Sequence, residues 1–203
     1  MRQSRFIEAL KENHPSCSAW VNDPVDMYWL VGNRQAGGVL FQRQQGGGAV
    51  TQFVKNSVER AIFESGGDDA PHEVVHISKL RERRPEWTDL NVIAFQNKKM
   101  PVSEFARLRK MGIPATRGAT GGPDITKTLW NLREIKSEWE IQRMRESGDI
   151  QREMFEAIDV IGREGVTELD LAAAAEKVSR VAGFGGFVRM RKWPMDCDRV
   201  VVA

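Results

Sequence analysis

Residues 129–161 read LWNLREIKSEWEIQRMRESGDIQREMFEAIDVI. The stretch decides the organisation of the chain, because it is strongly helical and charged where everything before it alternates between short apolar runs and turns. Ser137 followed by Glu140 is a capping box, in which hydroxyl and carboxylate satisfy the orphan N–H groups of a first helical turn. Ile141, Met144, Gly148, Phe155 and Ile158 recur at helical period within one stripe, which predicts a helix with a packing partner. Gly162 and Gly165 end it, and Thr167 with Asp170 repeats the capping signal for a second helix through Leu171, Ala175 and Val178 to Gly183. The change of character lies between residues 123 and 137, so the expected domains are 1–130 and 131–203.

Outward toward the N-terminus the pattern is mixed. Arg2 to Lys11 carries Phe6, Ile7 and Leu10 on one face of a short helix. Cys17–Val21 and Val25–Val31 read as two extended segments separated by the turn residues Asn22, Asp23 and Pro24. Gly38–Gln42 and Ala49–Val54 flank a glycine-rich turn, Gln45 to Gly48, which predicts a hairpin; it feeds a strand rather than a helix, so it is no phosphate loop. Glu73–Ile77 and Asn91–Phe95 read as strands, Lys79–Arg84 and Ser103–Lys110 as helices. Alternation of this kind predicts a layered α/β domain with a mixed sheet flanked by helices.

Composition bounds the function. The 203 residues hold 30 Lys and Arg against 28 Asp and Glu, a balance that argues against a nucleic-acid binder. No apolar run reaches the roughly 20 residues of a membrane span, and charges occupy the start where a secretory signal needs its apolar stretch. Cys17 and Cys197 show no disulfide framework, so the expected compartment is the cytoplasm.

Few side-chain constellations suggest chemistry. His72-Glu73-Val74-Val75-His76 matches the zinc-protease string H-E-x-x-H, which requires a helix to bring its histidines together. Pro71 and the two valines favour an extended segment, in which residues four apart are separated by about 13 Å. Asp196-Cys197-Asp198 reads as a polar turn, Arg81, Arg83 and Arg84 as a solvated helix face, and Gly183-Phe184-Gly185-Gly186-Phe187 as a helix cap and loop. The group Arg189, Arg191 and Lys192 beside Trp193 is more concentrated and is a candidate to meet an anionic ligand or backbone.

Several segments together resemble a known family. Asp26-Met-Tyr-Trp-Leu-Val-Gly-Asn, the hairpin, and Glu59-Arg60-Ala61 are similar to the N-terminal domain of the creatinase, prolidase and aminopeptidase P family. Leu132-Arg-Glu-Ile-Lys-Ser-Glu-Trp-Glu-Ile resembles the junction that opens that family's pita-bread catalytic domain, and Gly165-Val-Thr-Glu-Leu-Asp-Leu-Ala-Ala its next helix start.

The resemblance implies a creatinase/prolidase-type N-terminal domain followed by the opening helices of an incomplete α+β pita-bread domain. It implies a two-metal hydrolase acting on Xaa-Pro peptides, with amidinohydrolysis also known in the family. The implied ligands are two aspartates, a histidine and two glutamates, in motifs beyond Ala203, so this chain is expected to bind no metal and to be inactive alone. The manganese, cobalt or zinc pair belongs to a full-length protein. Val200-Val201-Val202-Ala203 reads as an opening strand, and the expectation is a chain that ends inside its second domain. The implied role is non-catalytic: homo-oligomerisation through the N-terminal domain and capping of an active-site cleft, with Tyr28, Asn33 and Arg34 as the capping loop. The alternative is a stand-alone regulatory module that binds a partner.

Overall fold

The computed structural model describes residues 2–43, 48–83, 92–113 and 123–185, together with the backbone of 188–189 and 196–197. The chain forms two compact units, Met1–Ile135 and Lys136–Ala203.

The first unit is built on a mixed five-stranded sheet. Helix α1 (Arg2–Asn13) leads to β1 (Ser18–Val21), α2 (Pro24–Val31), β2 (Gly37–Gln42) and β3 (Ala49–Val54). Then come α3 (Val58–Glu64), a 3-10 turn at Gly67–Asp69, β4 (Glu73–His76), α4 (Lys79–Glu82), β5 (Ile93–Phe95), α5 (Val102–Lys110) and α6 (Thr126–Glu134). The strand order is β4-β3-β2-β1-β5. The pairs β1–β2 and β2–β3 are antiparallel, whereas β1–β5 and β3–β4 are parallel.

The period-two alternation of the strands sorts the core into two layers. Ala19 and Val21 of β1, Val39 and Phe41 of β2 and Ala94 of β5 face Phe6, Leu10, Met27, Leu30, Ile125 and Leu129 of α1, α2 and α6. Trp20, Leu40, Phe53, Ile93 and Phe95 face the other way, onto Leu80 and Leu108 of α4 and α5. All four residues of β1 are buried, as a central strand covered on both faces requires. Within the sheet the Trp20 ring of β1 lies so close over β2 that Gly38 admits no side chain: a Cβ there would lie 2.0 Å from that ring.

One expected element is of a different kind. Val25–Val31, read as extended, is part of helix α2. The reason lies in its ends. Asp23 Oδ1 accepts from the N–H groups of Val25 and Asp26, both at 3.1 Å, and Pro24 occupies the first turn, where its missing N–H costs nothing. Gly32 closes the helix in the left-handed region at φ 79° and donates its N–H to the Tyr28 carbonyl. The apolar run is continuous because most of α2 is buried, which hides the helical period. Helix α3 has no counterpart in the sequence reading, and α6 starts three residues before the helical stretch read from Leu129 and is separated from α7 by Ile135–Ser137.

The second unit contains α7 (Glu138–Ile161), α8 (Glu168–Val181) and a two-stranded ribbon of β6 (Val188–Arg189) and β7 (Asp196–Cys197). Both helices start with the capping boxes expected from Ser137–Glu140 and Thr167–Asp170. No residue of α7 is fully buried. Its half-buried residues include Ile150, Met154, Ala157 and Ile161, while Met144 and Phe155 of the apolar stripe are largely exposed. The strand expected at Val200–Ala203, and Arg191, Lys192 and Trp193, lie outside the described residues. The ribbon places Asp196 and Cys197 in a short strand rather than a turn.

Candidate functional site

The three residues singled out from sequence separate into two roles. Tyr28 projects from the outer side of α2 with 45% of its surface exposed, and the exposed Arg34 lays its guanidinium over the ring, 5.5 Å from the centroid. Such a pair contributes about 0.5–1 kcal/mol at an exposed site. It forms because the left-handed turn at Gly32 folds the chain back over the last turn of α2.

Asn33 points the other way. It is buried, its Nδ2 donates to Gln52 Oε1 and Ser65 Oγ, both at 2.7 Å, and its Oδ1 accepts from the Gln35 N–H. It is therefore the anchor of the segment and is not available to a ligand. Gln35 in turn donates to Glu64 at 3.1 Å, which fastens this segment to the last turn of α3. Glu64 also accepts from Arg60 at 2.7 Å, and these two bonds hold its carboxyl below the usual range. Phe63, next to it, is 81% exposed. The surface thus offers a tyrosine, a stacked arginine and a neighbouring helix that carries an exposed phenylalanine, on a rigid base.

The H-E-x-x-H string is extended. His72 lies in a bend, and Glu73 to His76 form β4. The imidazoles go to different partners: His72 to Gln3 and Gln52, His76 to Ser78 and the Lys55 carbonyl. Glu73 is held by both terminal nitrogens of Arg83, which pulls its carboxyl down. Among the described residues no three His, Cys, Asp or Glu side chains converge where a metal ion could sit. Cys17 is buried, and burial pushes its thiol up, which keeps it unreactive. No helix of the described residues is long and apolar enough to cross a membrane.

Sequence reasoning missed a connection that the fold makes between two of its own motifs. Asp26, 1% exposed, receives Arg133 Nη1 at 2.5 Å and Gln96 Nε2 at 2.7 Å. Gln96 uses its Oε1 to accept the N–H groups of Asn22 and Asp23. The start of α2, the end of β5 and the last turn of α6 are thereby tied into one knot. Burial pushes the Asp26 carboxyl up, against the pull of Arg133. The partners are 107 residues apart, so only a buried aspartate within an apolar run, itself unusual, signalled the pair.

Neither a family model nor a curated protein matches the sequence. Solved structures do match. A prolidase from Pyrococcus horikoshii aligns over 92% of this chain and 51% of its own, with a TM-score of 0.69 and 18% identity. A Bacillus anthracis Xaa-Pro dipeptidase covers 98% of this chain and 56% of its own, with a TM-score of 0.71 and 17% identity. Aminopeptidase P from E. coli covers the same shares, with a TM-score of 0.71 and 13% identity. At such identities the likeness is one of fold. The chain spans little more than half the length of these structures.

Proposed function

We propose that this chain is the N-terminal, non-catalytic part of an Xaa-Pro peptidase-like protein, with the helices after residue 136 as the opening of a catalytic unit. Alignment of nearly the whole chain with about half of prolidase and aminopeptidase P structures is the observation that carries the reading. In this reading the first unit mediates homo-oligomerisation, and the Tyr28–Arg34 stack caps a substrate cleft in a neighbouring subunit. Exposure of both side chains and the firm anchoring of Asn33 beneath them support that role. In this reading the metal pair implied by the resemblance belongs to a full-length protein.

Two measurements test the proposal. The chain, supplied with manganese, cobalt or zinc and with Xaa-Pro di- and tripeptides, is expected to show no turnover; hydrolysis that EDTA abolishes would overturn the non-catalytic reading. In the complete peptidase that the reading implies, Arg34→Ala is expected to raise KM about tenfold, equivalent to about 1.4 kcal/mol. Unchanged KM and kcat would remove the capping role and leave a partner-binding module in its place.

A further inference from the structure

A chain of buried side-chain amides in the first unit ends on one imidazole, and the hydrogen-bond directions along it are fixed from both ends. At one end the Gln35 N–H donates to Asn33 Oδ1 at 3.0 Å, which sets the orientation of that amide. Gln52 Nε2 donates to the same oxygen at 2.8 Å, so Gln52 Oε1 faces Asn33 Nδ2 and His72 Nε2. An amide oxygen accepts only, and His72 Nε2 at 3.3 Å must therefore carry a hydrogen. At the other end Gln3 Nε2 donates to the Leu30 carbonyl at 3.2 Å, which fixes the Gln3 amide. Its second hydrogen faces His72 Nδ1 at 3.1 Å, so Nδ1 must accept. The network has room for one ring proton and no more.

We propose that His72 is a proton-operated catch: with one ring proton it ties Gln3 in the first turn of α1 to α2 and the sheet, and on taking up a second it breaks that tie and leaves the turn held to α2 through Arg2. A hydrogen on Nδ1 would point into the Gln3 amino group. Turning the Gln3 amide over to accept it would set Oε1 against the Leu30 carbonyl and lose that bond. Both outcomes break the link between α1 and α2 at Gln3.

The charged groups on the surrounding elements do not relieve the imidazolium. Arg2 and Arg5 of α1 donate to the carbonyls of Trp29 and Leu132. Asp26 of α2 is engaged by Arg133, Glu64 of α3 by Arg60, and Glu73 of β4 by Arg83. Strand β3 presents no titratable side chain. Asp68 and Asp69 of the 3-10 turn are the remaining acids nearby in sequence. Burial is the one cause that moves His72, and it moves it below 6.5. The sign follows: a lowered folded-state value means that the unfolded chain binds more protons. The stabilisation is then full above pH 6.5 and is lost as pH falls from there through the folded-state value.

The test is NMR titration of the 15N-labelled 203-residue chain from pH 8 to 4.5. The expected results are an Nε2–H tautomer at high pH, a His72 midpoint below 6.5, and Gln3 side-chain amide resonances that shift with the same midpoint. Gln3→Glu replaces the facing donor with a carboxylate, and is expected to move the His72 midpoint above 6.5 while giving up the bond to the Leu30 carbonyl at every pH. Only a catch makes the Gln3 amide resonances of the wild-type chain follow the His72 titration; a histidine that served as filler would leave them unmoved. An Nδ1–H tautomer, a wild-type midpoint at or above 6.5, or Gln3 resonances indifferent to the titration would each overturn the proposal. The wild-type measurements decide it even if the variant fails to fold.

Discussion

At the scale of single residues, the first unit leaves little tolerance between neighbouring strands of its sheet. Gly38→Ala would drive a methyl group into the Trp20 indole, itself fully buried and stacked on Phe53 at 5.9 Å between centroids. Over-packing of this kind costs about 1–3 kcal/mol, and urea unfolding of the variant is expected to show that loss as a lowered midpoint with an unchanged slope. Asp26 and Arg133 are predicted to behave as a unit. Arg133→Met leaves a buried carboxyl without its cation and is expected to cost about 3 kcal/mol, the low end for a broken buried pair because Arg133 keeps 27% exposure. The double variant Asp26→Asn, Arg133→Met is expected to recover part of that loss. If the two single effects simply add, the pair is not coupled and the knot does not hold the ends of α2, β5 and α6 together.

At the scale of elements, what the sequence makes legible is what local chemistry dictates. Ser137–Glu140 and Thr167–Asp170 are contiguous signals, and both capping boxes form. The hairpin of β2 and β3 follows from two β-prone runs about a glycine turn, and its register pairs Gly37 with Val54 through Gln42 with Ala49. Helix α2 was misread because burial overrides periodicity in an apolar run of eight residues, although the cap Asp23 before Pro24 and the stop at Gly32 were available to be read. Asp23→Ala is expected to cost about 1 kcal/mol, the usual worth of an N-cap, and Gly32→Ala about 1–2 kcal/mol for forcing a side chain into the left-handed region. Thermal melts of the two variants check both figures. For the candidate surface, the sequence does not tell the members of the segment apart: Asn33 turns inward because Gln52 and Ser65 are there to receive it, partners 19 and 32 residues away. The same distance effect hides the Gln3–His72 contact, whose partners are 69 residues apart.

At the scale of the whole molecule, the two units differ in how they are held. The first buries aromatic and aliphatic side chains on both faces of a sheet, whereas α7 buries none completely and is maintained by caps and by ion pairs such as Arg152–Glu156 and Arg143–Glu146. Exposed pairs of that sort add little to stability, because water and salt screen them. Hydrogen exchange is therefore expected to be fastest along α7 and slowest in β1 and β2, and equal protection in both would contradict the division. The sheet itself carries a last consequence, for the way chains of this kind meet. Its β5 border is closed by the molecule's own backbone, because the Phe95 N–H donates to the Pro123 carbonyl and its carbonyl accepts from Ile125, each at 3.0 Å. The opposite border, β4, is guarded by charge through Glu73 and Arg83 rather than by backbone. Among the described residues, a foreign strand therefore finds the β5 side occupied, and the side left for lengthening the sheet is the one that bears the salt bridge. Glu73→Gln is therefore expected to raise the tendency of the chain to associate edge to edge, which light scattering at rising concentration would show.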